Sequence, residues 1–236
     1  MLGREWVRVD AGAKLSALDY PGKRMPTSGL LDGDRFWPGK RLASIDGRRL
    51  VLAVGSNADP AVLAGKLRWA GAGGPVPMVL ARAVGLAIGH SAHVSEGGYL
   101  PAAPYASAVT TPVVGLWLTT AQLAGVDATE PNYRRVRLPA SQWRLAIDAG
   151  EAPDGYEVYA SRWGVLAPDG GRPLALGRQV ALHHRLAGLA DLAERAPWSD
   201  SAAVVAALRK PEQQSRVLQA LADAGWVADA GIPGGA

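Results

Sequence analysis

The chain has no cysteine. Disulfides, thiolate metal sites and cysteine nucleophiles are therefore excluded, and a reducing compartment suits the composition. Lysine is scarce, with five of the 25 basic residues at Lys14, Lys23, Lys40, Lys66 and Lys210. The remaining arginines are scattered, apart from pairs such as Arg48-Arg49 and Arg134-Arg135. The net charge of +4 and the pI near 9.6 thus come without the clustered basic stripe that counterion release from nucleic acid requires. No nucleic-acid partner is expected. Charged residues make up 19% of the chain, below the usual quarter, which excludes a highly charged disordered chain. No apolar run reaches 18 residues. Residues 1–20 carry Arg4, Glu5, Arg8, Asp10 and Lys14 and hold no signal-peptide core. These absences predict a soluble, cytoplasmic protein with no membrane partner.

What is present is a 48% hydrophobic chain of 236 residues, enough for one decorated domain with a sizeable core. Gly and Pro number 29 and 17, which argues against a coiled coil or a plain helical bundle. Residues 1–47 are irregular and predict an ordered arm that packs on the body through Trp6, Tyr20, Phe36 and Trp37, the alternative being a partly disordered terminus. Arg49 to Val54 is an apolar run closed by Gly55-Ser56-Asn57, the pattern of a buried strand. Asp59-Pro60 then gives an N-cap and a first-turn proline for a helix carrying Val62, Leu63 and Leu67. Strands are expected over 78–88, 112–118, 132–138, 143–147, 156–160 and 163–166. Pro101 and Pro104 mark an edge or irregular segment between the first two. A short helix capped by Thr119-Thr120 runs to Val126. From about residue 180 the pattern turns helical: Leu182 to Ala196, a helix capped by Ser199, and a third opened by Pro211 and stopped by Gly225. Residues 231–236 read as frayed. The expected class is α+β, with divisions at 1–47, 48–178 and 179–236, the last a C-terminal helical cap.

Three segments stand out in order: Val51-Leu-Ala-Val-Gly-Ser-Asn-Ala-Asp-Pro60, Pro112-Val-Val-Gly-Leu-Trp117, and Asp127-Ala-Thr-Glu-Pro-Asn-Tyr-Arg-Arg135. Together they resemble the γ-glutamylcyclotransferase-like family. That family carries a strand ending in Tyr-Gly-Ser-Asn, a Val-x-Gly-x-Leu-Trp strand, and a short helix ending in Leu-Asp-x-x-Glu before a Tyr-x-Arg-x-x-Val strand. The resemblance spans roughly residues 50–140. It implies a small mixed β-barrel with flanking helices and a pocket at the loop after the first strand. It also implies a reaction in which a γ-glutamyl amide cyclises to 5-oxoproline and releases an amine, without water, metal or cofactor. The implied partner is a small molecule bearing a γ-glutamyl or similar amide. Glu130 falls at the family's catalytic acid/base position. Val54, Gly55, Ser56 and Asn57 fall on the substrate loop, and Tyr133 can pack in its strand or line the pocket. Val54 stands where the family has an aromatic residue. That leaves a second reading: a catalytically silent domain of the same fold that binds a small ligand or a protein partner.

The chemistry follows from the reaction itself. The α-amine is tethered to the carbonyl it attacks, so much of the entropic barrier is removed in advance. What remains is proton transfer from one nitrogen to another, which a single carboxylate kept from bulk water can carry out. Burial raises a carboxyl pKa toward the working pH. The developing oxyanion and the substrate carboxylate need N–H donors, which a strand-to-helix loop supplies. By itself a Gly-Ser-Asn loop is an ordinary turn and a Glu before Pro131 an ordinary solvated side chain; the ordered set singles them out. Elsewhere, His90-Ser-Ala-His93 lies in β-like or loop sequence and is a weak metal pair, although His90 is a candidate substrate contact. Ser56 lacks the Gly-x-Ser-x-Gly context of a serine hydrolase. The three C-terminal helices are read as a cap rather than a DNA reader.

Overall fold

An unbroken apolar run from Leu50 to Val54 marks a strand covered on both faces. The structure, a computed structural model, describes residues 5–148, 151–168, 171–187 and 200–233. Val51 and Ala53 enter one core and Leu50, Leu52 and Val54 another, following the period of two along a strand.

In chain order the strands are β1 (Val7–Arg8), β2 (Gly29–Asp32), β3 (Arg35–Pro38), β4 (Arg49–Ala53), β5 (Val76–His90), β6 (Ala102–Leu118), β7 (Tyr133–Pro139), β8 (Leu145–Ile147), β9 (Gly155–Ser161), β10 (Val165–Leu166) and β11 (Val227–Ala228). The helices are α1 (Pro60–Trp69), α2 (Thr120–Asp127), α3 (Gln179–Leu186), α4 (Ser201–Leu208) and α5 (Pro211–Asp223). Nine strands form one mixed sheet in the order β1-β3-β2-β5-β6-β4-β9-β7, with β8 also on β5. β4 and β9 run parallel. β10 and β11 form a separate antiparallel pair. The long β5–β6 hairpin is the spine, paired from Met78↔Leu116 to His90↔Ala102 with a register shift between Val84 and Leu86. Gly85 sits at that shift with φ +87°, a conformation that side-chain-bearing residues rarely adopt. Pro104 falls inside β6, on a stretch that is an edge, and Pro101 lies just before it. β4 covers only Val114 to Leu118 of β6, so Pro104 and Pro112 lie where one side of the strand lacks a partner and a missing N–H is tolerated.

One core lies between a sheet face and the helices α1 and α2, joining Val51, Met78, Leu116 and Leu118 to Leu63, Leu67, Leu123 and Val126. On the other face Leu52, Val79, Val113, Trp117, Leu138, Leu145, Tyr156 and Val158 form a second core. Those residues come from β4 to β9, so the sheet curls until β7 and β8 share one interior. No pairing joins β7 to β8, and among the described residues no closed barrel forms. The fold is thus α+β with a large mixed sheet.

Residues 1–47 contribute β1, β2 and β3. β2 pairs with β5, and Leu31 and Phe36 are buried in the first core. At the other end, Leu182, Leu186, Val204, Leu208, Val217 and Leu221 cover Ala92, Val94 and Leu100 of the β5–β6 connection. Gln179 pins that connection, accepting from Leu100 N at 3.0 Å and donating to Leu100 O at 2.9 Å. The first of these helices starts at Gln179, earlier than expected, and ends at Leu186; residues 188–196 of the expected helix and Ser199 lie outside the described residues. α4 is capped by Asp200, which accepts from Ala202 N and Ala203 N. Ile232 is not frayed: it is buried in the second core, while residues 234–236 lie outside the described residues. No helix among the described residues is long and apolar enough to cross a membrane.

Candidate active site

β4 ends at Ala53, and the chain passes through Val54 and Gly55 into a 3₁₀ turn over Ser56–Ala58. Asp59 then caps α1, accepting from Ala61 N at 2.9 Å, with Pro60 in the first turn. The Ala58 and Asp59 amides close the turn onto the Gly55 and Ser56 carbonyls and so are not free for a ligand. Gly55 is glycine for a reason the sequence does not show. A Cβ there would lie 2.5 Å from the Tyr20 hydroxyl and 3.2 Å from Ala102 Cβ. Its smallness admits a tyrosine from the N-terminal segment.

Glu130 is placed by the end of α2. Thr119 and Gln122 close a capping box at the start of that helix. At its end Asp127 is gripped by Arg135 from β7, at 2.9 and 3.1 Å, and accepts from the Tyr159 hydroxyl at 2.7 Å. Thr129 ties back to Val126 O through both its amide and its hydroxyl, and Glu130 N donates to Asp127 O. This winding turns the Glu130 side chain inward, leaving it 15% exposed. Its Oε1 accepts from Lys66 Nζ at 2.6 Å and from Asn57 Nδ2 at 2.9 Å. Among the described residues no donor reaches Oε2. Glu130 is therefore one half of a sheltered ion pair, with one oxygen held and the other open. Asn57 Oδ1 is buried without a hydrogen-bond partner beside it.

These groups line one cavity of about 520 Å³. Four tyrosines, Tyr20, Tyr99, Tyr133 and Tyr159, share its wall. Tyr20 and Tyr133 hold the two ends of one residue: Ala102 N donates to Tyr20 Oη at 2.7 Å, and Tyr133 Oη donates to Ala102 O at 2.8 Å. Burial pushes both phenols well above the usual tyrosine range, so both stay protonated. The Ser56 amide also faces the Tyr20 oxygen. Tyr20 thus receives backbone N–H groups, and no acceptor for its own proton stands among the described residues. His93 lines the cavity too, with Nδ1 2.6 Å from Ser91 Oγ, which lies 2.6 Å from Ser161 Oγ. Burial pulls the His93 imidazole down to about 4, so it is neutral at physiological pH.

The structure brings Val54, Gly55, Ser56, Asn57, Glu130 and Tyr133 onto a single cavity. His90 is not part of it. Its Nδ1 lies 3.1 Å from Leu100 O and its Nε2 accepts from Gly177 N at 3.0 Å, so both ring nitrogens hold backbone. The histidine at the cavity is His93, three residues on. Lys66, Tyr20 and His93 are the site residues that sequence reasoning missed. Lys66 carried a signal: it follows Val62 by four residues on the helix that opens from the loop, so it faces the same way. Among the described residues no group of three or more His, Asp or Glu side chains gathers as a metal site.

No protein-family model matches the chain, and no curated protein matches it. Among solved structures it is similar to the solution structure of At3g28950.1 from Arabidopsis thaliana, at 20% identity and a TM-score of 0.35, covering 51% of this chain. The chain spans 66% of the length of that protein.

Proposed function

We propose that this chain is a γ-glutamylcyclotransferase-like enzyme that converts a γ-glutamyl amide, or a related small amide, to 5-oxoproline and a free amine. In this reading the curled sheet corresponds to the small barrel of that family. The observation that carries the reading is Glu130: a sheltered carboxylate with one oxygen open, joined through Asn57 to the loop of residues 55–57 on the wall of one cavity.

The substrate α-ammonium binds at the open Oε2, and Lys66 neutralises the substrate carboxylate or steadies Glu130 from the other side. The α-nitrogen, having given a proton to Glu130, attacks the γ-carbonyl carbon. A C–N bond forms and the amide C–N bond breaks. The α-ammonium starts with three protons and ends as a lactam N–H, so two must leave it. The departing amide nitrogen starts with one and ends as an ammonium, so two must reach it. Glu130 relays both, one at a time, and returns to its starting state. The Tyr20 hydroxyl and the loop amides face the oxygen on which negative charge develops. The reaction consumes no water, metal or cofactor.

The test is incubation with a panel of γ-glutamyl amides while 5-oxoproline is followed. Wild type is expected to turn over at least one, and Glu130→Gln to lose about a hundredfold to ten-thousandfold in kcat. Full activity in Glu130→Gln would overturn the assignment. The Lys66–Glu130 pair also favours the second reading, a silent pocket for a zwitterion. In that case the amides bind, Glu130→Gln weakens binding, and no 5-oxoproline appears.

A further inference from the structure

Val62, Lys66 and Trp69 are spaced four and three along α1, so they share one helix face, and all three line the cavity. Lys66 sits at the polar end, on Glu130. Trp69 stands about one turn farther along the helix and is 73% exposed, more than any other large apolar side chain among the described residues. A single exposed apolar residue needs no explanation. Trp69 is not single: Leu15, Val62 and Pro131 line the same cavity. Inward, the cavity is stopped by Leu52 and Ala53, both buried in the sheet. A ligand whose charged head occupies Lys66, Glu130 and Asn57 can therefore extend along this helix face to the tryptophan.

We infer that this apolar mouth is a subsite for the amine half of the substrate, and that it selects γ-glutamyl amides of aryl or bulky apolar amines. The inference rests on the cyclotransferase reading for the polar end of the ligand. The indole is largely exposed, and an aromatic amine covers such a surface by offset stacking. Glu96 also lines the cavity, but it is exposed and solvated, so it offers a cationic amine little.

The probes are γ-glutamyl anilide, γ-glutamyl methylamide and γ-glutamyl-ε-lysine, assayed with wild type and Trp69→Ala for 5-oxoproline. Tryptophan fluorescence is followed on mixing, with Trp69→Phe to assign the signal. The expected kcat/KM for the anilide exceeds that for the methylamide by about tenfold to a hundredfold. In Trp69→Ala that ratio falls toward one, and the anilide quenches wild type but not Trp69→Phe. Equal turnover of anilide and methylamide, or an unchanged ratio in Trp69→Ala, overturns the subsite and leaves the cyclotransferase reading standing. A preference for the lysine amide also overturns it. Trp69-dependent quenching by the anilide with no 5-oxoproline supports the subsite and sinks the reaction. Neither binding nor turnover of any probe sinks both.

Discussion

A buried tyrosine oxygen that receives backbone N–H groups still has one proton to give, and in Tyr20 that proton has no partner among the described residues. In the proposed reaction it is an oxyanion donor. Tyr20→Phe is expected to lower kcat by about a hundredfold or more, the scale of losing one such donor. The same change leaves Ala102 N unpaired in the interior, at about 1–3 kcal/mol of stability. Stability alone therefore cannot separate the two roles, but kinetics can. A Tyr20→Phe protein that unfolds earlier yet keeps its kcat would make Tyr20 purely structural. At this scale the sequence was legible where neighbours in the chain are neighbours in space. Gly55, Ser56 and Asn57 are consecutive, and Glu130 follows a helix end whose pattern can be read. Lys66 meets Glu130 across 64 residues and Tyr20 meets Ala102 across 82, separations that no local pattern encodes. That residue 54 is a valine was legible too, but not that a hydroxyl from residue 20 stands next to Gly55.

Between elements, Glu157 ties the site to the sheet. It lies on β9 between Tyr156 and Val158, with its side chain only 3% exposed, and both its oxygens meet arginines: Arg49 from β4 and Arg135 from β7. Arg135 in turn grips Asp127, which fixes the turn carrying Glu130. The strand alternation at Tyr156, Val158 and Ala160 made β9 readable. It says nothing about the opposite face, and that face is roofed by the first core, where Tyr159 is buried two residues on. A carboxylate there must be paired. Glu157→Gln removes one half of a buried charge cluster and is expected to cost about 3 kcal/mol, read as an earlier urea midpoint. It should also lower kcat, because Asp127 and Arg135 lose their anchor. Replacing Glu157 and Arg135 together, for example by Gln and Met, should recover part of the stability, since no unpaired buried charge remains between them. A single Gln variant as stable as wild type would show that the cluster holds nothing.

Across the whole molecule, the curl of the sheet and the path of residues 1–47 were the least legible features. Each depends on long-range pairing, β2 with β5 and the gathering of β7 and β8 round one core, while the motifs report only single strands. The same enclosure sets how the protein responds to acid. His90 and His93, at and just past the end of β5, and His183, on α3, are all buried. Burial lowers the pKa of each, to about 4 for His93 and for His183. An unfolded histidine titrates near 6.5, so between about pH 6.5 and 4 the unfolded chain binds more protons than the native one. Stability is then fully present above pH 6.5 and declines as pH falls toward 4. For His93 alone the loss amounts to about 3 kcal/mol across that window. Geometry agrees at His90: Nε2 accepts from Gly177 N, and a proton there would set two donors against each other. Urea unfolding at pH 7.5, 6 and 5 is expected to show a falling stability whose slope is reduced in His93→Gln. If His93→Gln matches the wild-type slope at every pH, the imidazole beside Ser91 is not buried neutral, and the cavity wall it forms is open to water.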